Sequence, residues 1–280
     1  MRGNFNRTSK TFVKFRFPAP FLVFDPTQPY HDQKTAEWTP MKTYDFQQLN
    51  QRFETSSSED IVRWAVAELD PGLCMSTSFG AESAVLLHLV TQIQPQIPVL
   101  FTDTGFHFKE TLEHKDRLTE RLHLNLRVLK PEIPHEEFLA KNGKLYERDP
   151  DSCCAQNKIA PFEKAIVDYQ GWITGIRRQQ ADTRKAAQFV ESYRDRLVKV
   201  NPLLNWTSKM FWDYAKKYNL PYHPLWEKGY LSIGCSPETC TRPVQLGEDP
   251  RSGRWAGFGK VECGIHTPLK NEAQGSNASK

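Results

Sequence analysis

The chain has 280 residues, with 37 Lys plus Arg against 33 Asp plus Glu and a formal net charge of +4. Arg2, Arg7, Lys10, Lys14 and Arg16 place +5 in the first 24 residues, which hold no acid, so the remainder is near neutrality at −1. A near-neutral body argues against a general nucleic-acid surface, which needs a Lys and Arg excess within the folded domain, but leaves room for a local pocket for a small anion.

Residues 1–45, rich in Pro, Thr, Gln and Lys, read as a poorly ordered extension. Lys14, Arg16, Pro18 and Pro20 interrupt what would have to be the apolar core of a secretory signal. No run reaches the roughly 20 apolar residues of a membrane-spanning helix, and the longest, around Ala84–Val90, contains His88. The expectation is a cytoplasmic protein whose six cysteines stay reduced.

The body, 46–240, shows its first clear helix where Ser56 and Glu59 fit a capping box and Ile61, Ala65 and Leu69 recur at helical spacing. Pro71 and Gly72 end it. A short strand at 73–75 leads through Ser76-Thr77-Ser78-Phe79-Gly80 into a buried helix over 81–92. Strands are predicted at 98–101, 124–129, 172–174 and 197–200, and helices at 108–122, 153–169 and 208–218. Strands alternating with helices imply parallel βαβ units in one α/β domain. After Tyr230 periodicity fades into a Cys-, Pro-, Gly- and Arg-rich tail, 241–280.

Five places can carry chemistry. Ser76, Ser78 and Gly80 stand where a strand passes into a helix N-terminus, a site suited to phosphate but equally a turn and a cap. Asp103, after the second strand, can hold a ribose hydroxyl or cap the next helix. Arg177 and Arg184 follow a further strand, where the planar guanidinium fork suits phosphate or sulfate. Cys153, Cys154, Cys235 and Cys240 form two pairs that can bind an iron–sulfur cluster or zinc, although adjacent cysteines are unusual for structural zinc. Cys263 stands apart among Arg251, Arg254, Lys260 and His266 and between glycines, as a reactive thiol does. Cys74 reads as a small core residue.

Together these residues resemble the assimilatory adenylyl-sulfate and phosphoadenylyl-sulfate reductases of the PP-loop superfamily. The resemblance rests on STSFGAES, FTDTG, the Cys-Cys pair followed by Lys158, WITGIRRQQ, NPL at 201–203, LPYHPLWEKGYLSIGC at 220–235, GRW at 253–255 and ECGIH at 262–266. It implies a PP-loop, adenine nucleotide alpha hydrolase-like fold, with a parallel sheet, helices on both faces and a mobile C-terminal tail. It implies reduction of adenylyl sulfate to sulfite and AMP, with the phosphoadenylyl-sulfate reaction as the alternative. Cys263 would be the nucleophile, forming an S-sulfocysteine that thioredoxin or glutaredoxin resolves. Ser76, Ser78, Gly80, Asp103, Lys158, Arg177, Arg184, Arg251, Arg254 and His266 would bind the nucleotide sulfate. The other four cysteines would hold a 4Fe-4S cluster, which in this family goes with a substrate lacking the 3′-phosphate. One departure stands out: the family's second pair is Cys-x-x-Cys, whereas four residues separate Cys235 from Cys240. Composition and the lack of an apolar span give no nucleic-acid or membrane partner, and the sequence leaves a homo-oligomer open. Two other classes remain, a PP-loop ATP pyrophosphatase, which leaves Cys263 without a role, and a zinc-stabilised binding protein.

Overall fold

The computed structural model describes residues 43–245 and 247–266. The expectation of a poorly ordered extension at 1–45 falls almost wholly outside the described residues, as does the end of the tail beyond 266.

The chain enters through α1 (Phe46–Phe53) and α2 (Ser58–Leu69). The helix N-cap stands one residue later than predicted: Ser57 Oγ accepts the Asp60 N–H at 3.1 Å and donates to the Asp60 carboxylate at 2.7 Å. Ser56 instead donates to the Arg52 carbonyl at 3.1 Å, closing the end of α1. There follow β1 (Leu73–Ser76), α3 (Ser83–Thr91), β2 (Pro98–Thr102), α4 (Lys109–Leu122) and β3 (Asn125–Leu129). A helix not predicted, α5 (His135–Asn142), lies between Pro134 and Gly143. The predicted continuous helix over 153–169 is α6 (Pro150–Cys154), a π turn over Ala155–Ile159, and α7 (Ala160–Ile166). Next come β4 (Gly171–Ile173), β5 (Val190–Tyr193), β6 (Leu197–Val200) and α8 (Ser208–Lys217).

The strands form one six-stranded sheet in the order β3-β2-β1-β4-β6-β5. Every neighbouring pair is parallel except β5 with β6, an antiparallel edge the sequence reading did not include. The strand order reverses at β1, so a crevice opens beyond the carboxyl ends of β1 and β4, where open α/β sheets place ligands.

Side chains alternate across a strand, and the two faces of this sheet are covered differently. Leu73, Met75, Val99, Phe101, Ile173 and Val200 join the main core with residues of α2, α3, α4 and α8, among them Ile61, Val85, Leu118 and Phe211. Cys74, Leu100, Trp172 and Leu197 face the other way, onto Phe162 and Ile166 of α7 and onto Trp255, Cys263 and Ile265. Fully buried Trp172 centres this second face, with Phe162 at 4.8 Å and Tyr193 at 5.0 Å between ring centroids. Truncating such a residue costs about 3–5 kcal/mol. One face therefore packs on helices, while the other is completed partly by the segment that carries Cys263.

Candidate active site

A cleft of about 450 Å³ opens at the β1/β4 crevice, a size suited to a small-molecule ligand. The loop after β1 forms one wall and is fixed from beneath. The Trp172 indole N–H donates to Ser76 Oγ at 2.8 Å, and the Thr77 N–H donates to the Leu100 carbonyl at 3.0 Å. Phe79, at φ 48°, turns its buried ring against Phe101 at 5.2 Å. Ser76, Ser78 and Gly80 line the cleft, and α3 starts there without a side-chain cap, the Ser83 N–H turning back to the Gly80 carbonyl at 3.1 Å.

Of the predicted anion-binding residues, Lys158, Arg177, Arg184, Arg251, Arg254 and His266 all line this cleft. Asp103 is not among the residues lining it: its carboxylate accepts the Gly105 N–H at 3.1 Å in the turn after β2. Nor are the arginines equivalent. Arg177 pairs with Glu82, donates to the Trp206 carbonyl at 3.1 Å and lies over Phe211 at 4.6 Å. It ties the exit of β4 to the start of α3. Arg184 grips Glu262 through two bonds, Nε to Oε1 at 2.6 Å and Nη2 to Oε2 at 2.9 Å. Arg251 donates to the same carboxylate at 3.1 Å and to the Val261 carbonyl at 2.6 Å. Among the described residues, Lys158 and Arg254 have no acidic partner. Arg254 donates through Nε to the Cys240 carbonyl at 3.0 Å, and its guanidinium lies over Trp255 at 4.3 Å.

The segment 251–266 reaches the cleft by several contacts. Lys260 pairs with Asp151 of α6. Glu262 meets Arg184 and Arg251, and the Tyr193 hydroxyl donates to the Ile265 carbonyl at 3.1 Å. His266 stacks on Trp172 with centroids 5.3 Å apart and planes 8° apart. Cys263 lies between these contacts, 8% exposed and lining the cleft. Gly264 takes φ +92°, and a Cβ there would stand 2.7 Å from Ile159 Cδ1, so the turn after Cys263 requires glycine.

Electrostatics sets Cys263 apart. Burial pushes its thiol up, but Lys158, the Ile265 N–H and Arg254 together outweigh burial and the opposing Glu262 charge, leaving it below the usual thiol value. Burial pushes Cys74 well up, as befits a core residue. Burial likewise holds His266 well below the usual imidazole range, reinforced by Lys199, Arg184, Lys158 and Arg251, so it is neutral, and its Nδ1 has no hydrogen-bond partner.

Cys153, Cys154, Cys235 and Cys240 line one small pocket next to the cleft, with Lys158, Arg254 and Cys263 also on its wall. Burial pushes Cys153 up to about 12, Cys154 up to about 11 and Cys240 up to about 12. Their sulfurs meet polar neighbours: Asn157 Nδ2 donates to Cys153 at 3.7 Å, and the Thr104 hydroxyl shares a hydrogen bond with Cys235 at 3.4 Å. The two additional residues before Cys240 are absorbed in a turn, in which the Cys240 and Thr241 N–H groups donate to the Pro237 carbonyl at 2.7 and 3.0 Å. The π turn between Cys154 and Ala160 shifts the helical register, so that Cys153, Cys154 and Lys158 reach the same pocket. Among the described residues, no group of three or more His, Cys, Asp or Glu side chains is gathered closely enough to hold a metal ion.

Sequence reasoning quoted Glu262 within ECGIH but gave it no role, and missed Trp172 as the ring beneath His266. Glu262 could have been found as the acid beside the nucleophile in an otherwise basic segment. Trp172 had no signal beyond its place in a central strand.

The model of the phosphoadenosine phosphosulfate reductase domain matches residues 72–243. An adenosine 5′-phosphosulfate reductase of Halalkalibacterium halodurans is 44% identical, over 78% of this chain and 95% of its own. A protein of the same name from Shouchella clausii is 41% identical, over 83% of this chain and 97% of its own. The crystal structure of phosphoadenylyl-sulfate reductase from Candida auris, a phosphate complex, superposes with a TM-score of 0.63 at 27% identity, covering 70% of this chain and 98% of that one. On a parallel sheet with its cleft at the strand-order reversal, these similarities identify the chain as a member of the phosphoadenosine phosphosulfate reductase family.

Proposed function

We propose that the chain reduces adenylyl sulfate to sulfite and AMP in sulfate assimilation, with Cys263 as the nucleophile. The observation that carries this reading is Cys263 itself: a thiol held below its usual pKa by Lys158 and Arg254, at the wall of a cleft sized for a nucleotide. The family model stops at residue 243, short of Cys263, so its role rests on that geometry. The two relatives named for adenylyl-sulfate reduction favour that substrate over the 3′-phosphorylated one.

The Cys263 thiolate would attack the sulfuryl sulfur. The bond from sulfur to the bridging oxygen breaks, its electron pair stays on the AMP phosphate, and S-sulfocysteine remains. Lys158 and Arg254, lacking acidic partners, are placed to offset the charge that grows on the leaving phosphate. Ser76, Ser78 and Gly80 would hold the nucleotide beside the start of α3. A thiolate of a separate dithiol reductant, thioredoxin or glutaredoxin, would then attack Cys263 Sγ, expelling sulfite with the bonding pair. The reductant's second thiol resolves the mixed disulfide, so two thiols supply both electrons. Six unpaired cysteines fit a reducing compartment, and we place the enzyme in the cytoplasm.

The donor set of the neighbouring pocket, four thiols with hydroxyl and amide donors at two of the sulfurs and Lys158 on the wall, is that of a 4Fe-4S cluster, in which Cys153, Cys154, Cys235 and Cys240 would each bind a different iron and need not converge on a single ion. When bound, such a cluster would supply a fixed charge beside Lys158, since the thiol chemistry already balances its electrons.

Steady-state turnover of adenylyl sulfate and its 3′-phosphorylated form by one purified sample, with thioredoxin, tests the assignment. The expected result is much higher kcat/KM for adenylyl sulfate. The reverse order would make the chain a phosphoadenylyl-sulfate reductase, and pyrophosphate release from ATP would move it to another class.

A further inference from the structure

Besides Arg177, which pairs with Glu82, four cations line the cleft, Arg184, Arg251, Lys158 and Arg254, and all would serve the substrate anion if its wall were read by charge alone. Their partners divide them. Glu262, immediately before Cys263, takes two bonds from Arg184 and one from Arg251, and the Thr183 hydroxyl adds a contact at 3.4 Å. All three charged side chains are shielded, with exposures of 11% for Arg184, 11% for Glu262 and 14% for Arg251. A bidentate, largely desolvated pair of this kind fixes orientation as well as distance. Removing one partner leaves buried charge uncompensated, which makes the contact a clasp and not an exposed ion pair of little consequence.

We propose that Glu262 is a positioning residue: clamped by Arg184 and Arg251, it latches the C-terminal segment over the second face of the sheet and so presents Cys263 to Lys158 and Arg254. This deepens the reductase reading and rests on it for the catalytic consequence. Two of the four cations thus hold the protein's own carboxylate, and the other two are left for the sulfate ester. Arg184 comes from the chain after β4 and Arg251 from the tail itself, so one carboxylate joins the sheet domain to both ends of the catalytic segment. Gly264, at φ +92°, turns the chain directly after Cys263, and the Tyr193 hydroxyl donates to the Ile265 carbonyl. The thiol therefore has a fixed point on each side.

The test compares the full chain with Glu262→Gln and Arg184→Lys by two readouts. The first is the rate at which iodoacetamide alkylates Cys263 without nucleotide, followed by mass mapping of its peptide. Cys263 is shielded in the latched state, so Glu262→Gln should raise the rate roughly tenfold or more, the factor that 1.4 kcal/mol represents. Arg184→Lys, which keeps the charge but loses the fork, should fall between. The second readout separates binding from turnover: Glu262→Gln should lower kcat for adenylyl sulfate while AMP affinity stays within about twofold. Equal alkylation rates in parent and Glu262→Gln would overturn the latch, as would faster alkylation with unchanged kcat. The alkylation comparison needs no turnover, so failure of the latch is distinguishable from failure of the reductase assignment.

Discussion

Acidification should loosen the wall of the cleft through a buried histidine pair. His114 of α4 is fully buried, and neither ring nitrogen has a hydrogen-bond partner. His223 lies with its ring centroid 5.1 Å away, exchanges a hydrogen bond with the Thr111 hydroxyl at 3.0 Å and accepts the Leu225 N–H at 3.2 Å through Nδ1. Burial, with the neighbouring ring and Arg117, pushes His114 down to about 3, and burial pushes His223 down to about 4. Both are therefore neutral in the fold well below the 6.5 at which they titrate in the unfolded chain. The unfolded state binds the additional protons, so stability present above pH 6.5 is lost as pH falls toward the folded values. Between pH 7 and pH 5 each histidine should cost about 1.8 kcal/mol, because the folded forms have hardly begun to titrate; the pair should cost about 3.5 kcal/mol. Carboxylates contribute little in this window. Urea unfolding of the reduced chain at the two pH values, in parent and His114→Leu, measures it. The substitution removes two unsatisfied nitrogens, so it should not lower stability at pH 7, and it should cut the loss on acidification by about 1.8 kcal/mol. An identical loss in parent and variant would refute the reasoning. His223 opens the stretch that carries Trp226, Leu231 and Cys235 to the cleft, so AMP affinity should weaken over the same range.

Cys263→Ser should abolish sulfite release while leaving AMP affinity unchanged, measured by sulfite assay and calorimetry. Lys158→Met removes the leading cation that opposes burial at Cys263, so the pH profile of Cys263 alkylation should move to higher pH. Gly264→Ala forces a side chain into positive φ beside Ile159 and should cost the docked segment about 1–3 kcal/mol, seen as faster proteolysis after residue 250. Anaerobically purified protein should be brown and hold about four irons per chain. Fully active, iron-free protein would remove the cluster.

The central strands were legible because each is a short apolar run bounded by Pro, Gly or Asp, as with Pro98–Thr102. β5 was not: Val190-Glu191-Ser192-Tyr193 is short and half polar, and pairs only as an edge. α5 contributes one fully buried residue, Phe138, too little for a periodic signal. The π turn was invisible because it answers to where Cys153, Cys154 and Lys158 must point, not to local propensity. The site showed its residue types but not their division. Glu82 lies 95 positions from Arg177 and Glu262 lies 78 from Arg184, so only the folded chain reveals that these cations are already held. Asp103 carried a signal common to ribose binding and turn formation, and its carboxylate accepts the Gly105 N–H of the turn.

The most direct test of the account is intact and peptide mass spectrometry of the reduced protein mixed with adenylyl sulfate in the absence of a dithiol reductant. The expected result is one SO₃ added per chain, located on Cys263, released as sulfite when thioredoxin is supplied and absent in Cys263→Ser. No adduct, or an adduct on another cysteine that survives in Cys263→Ser, would contradict it.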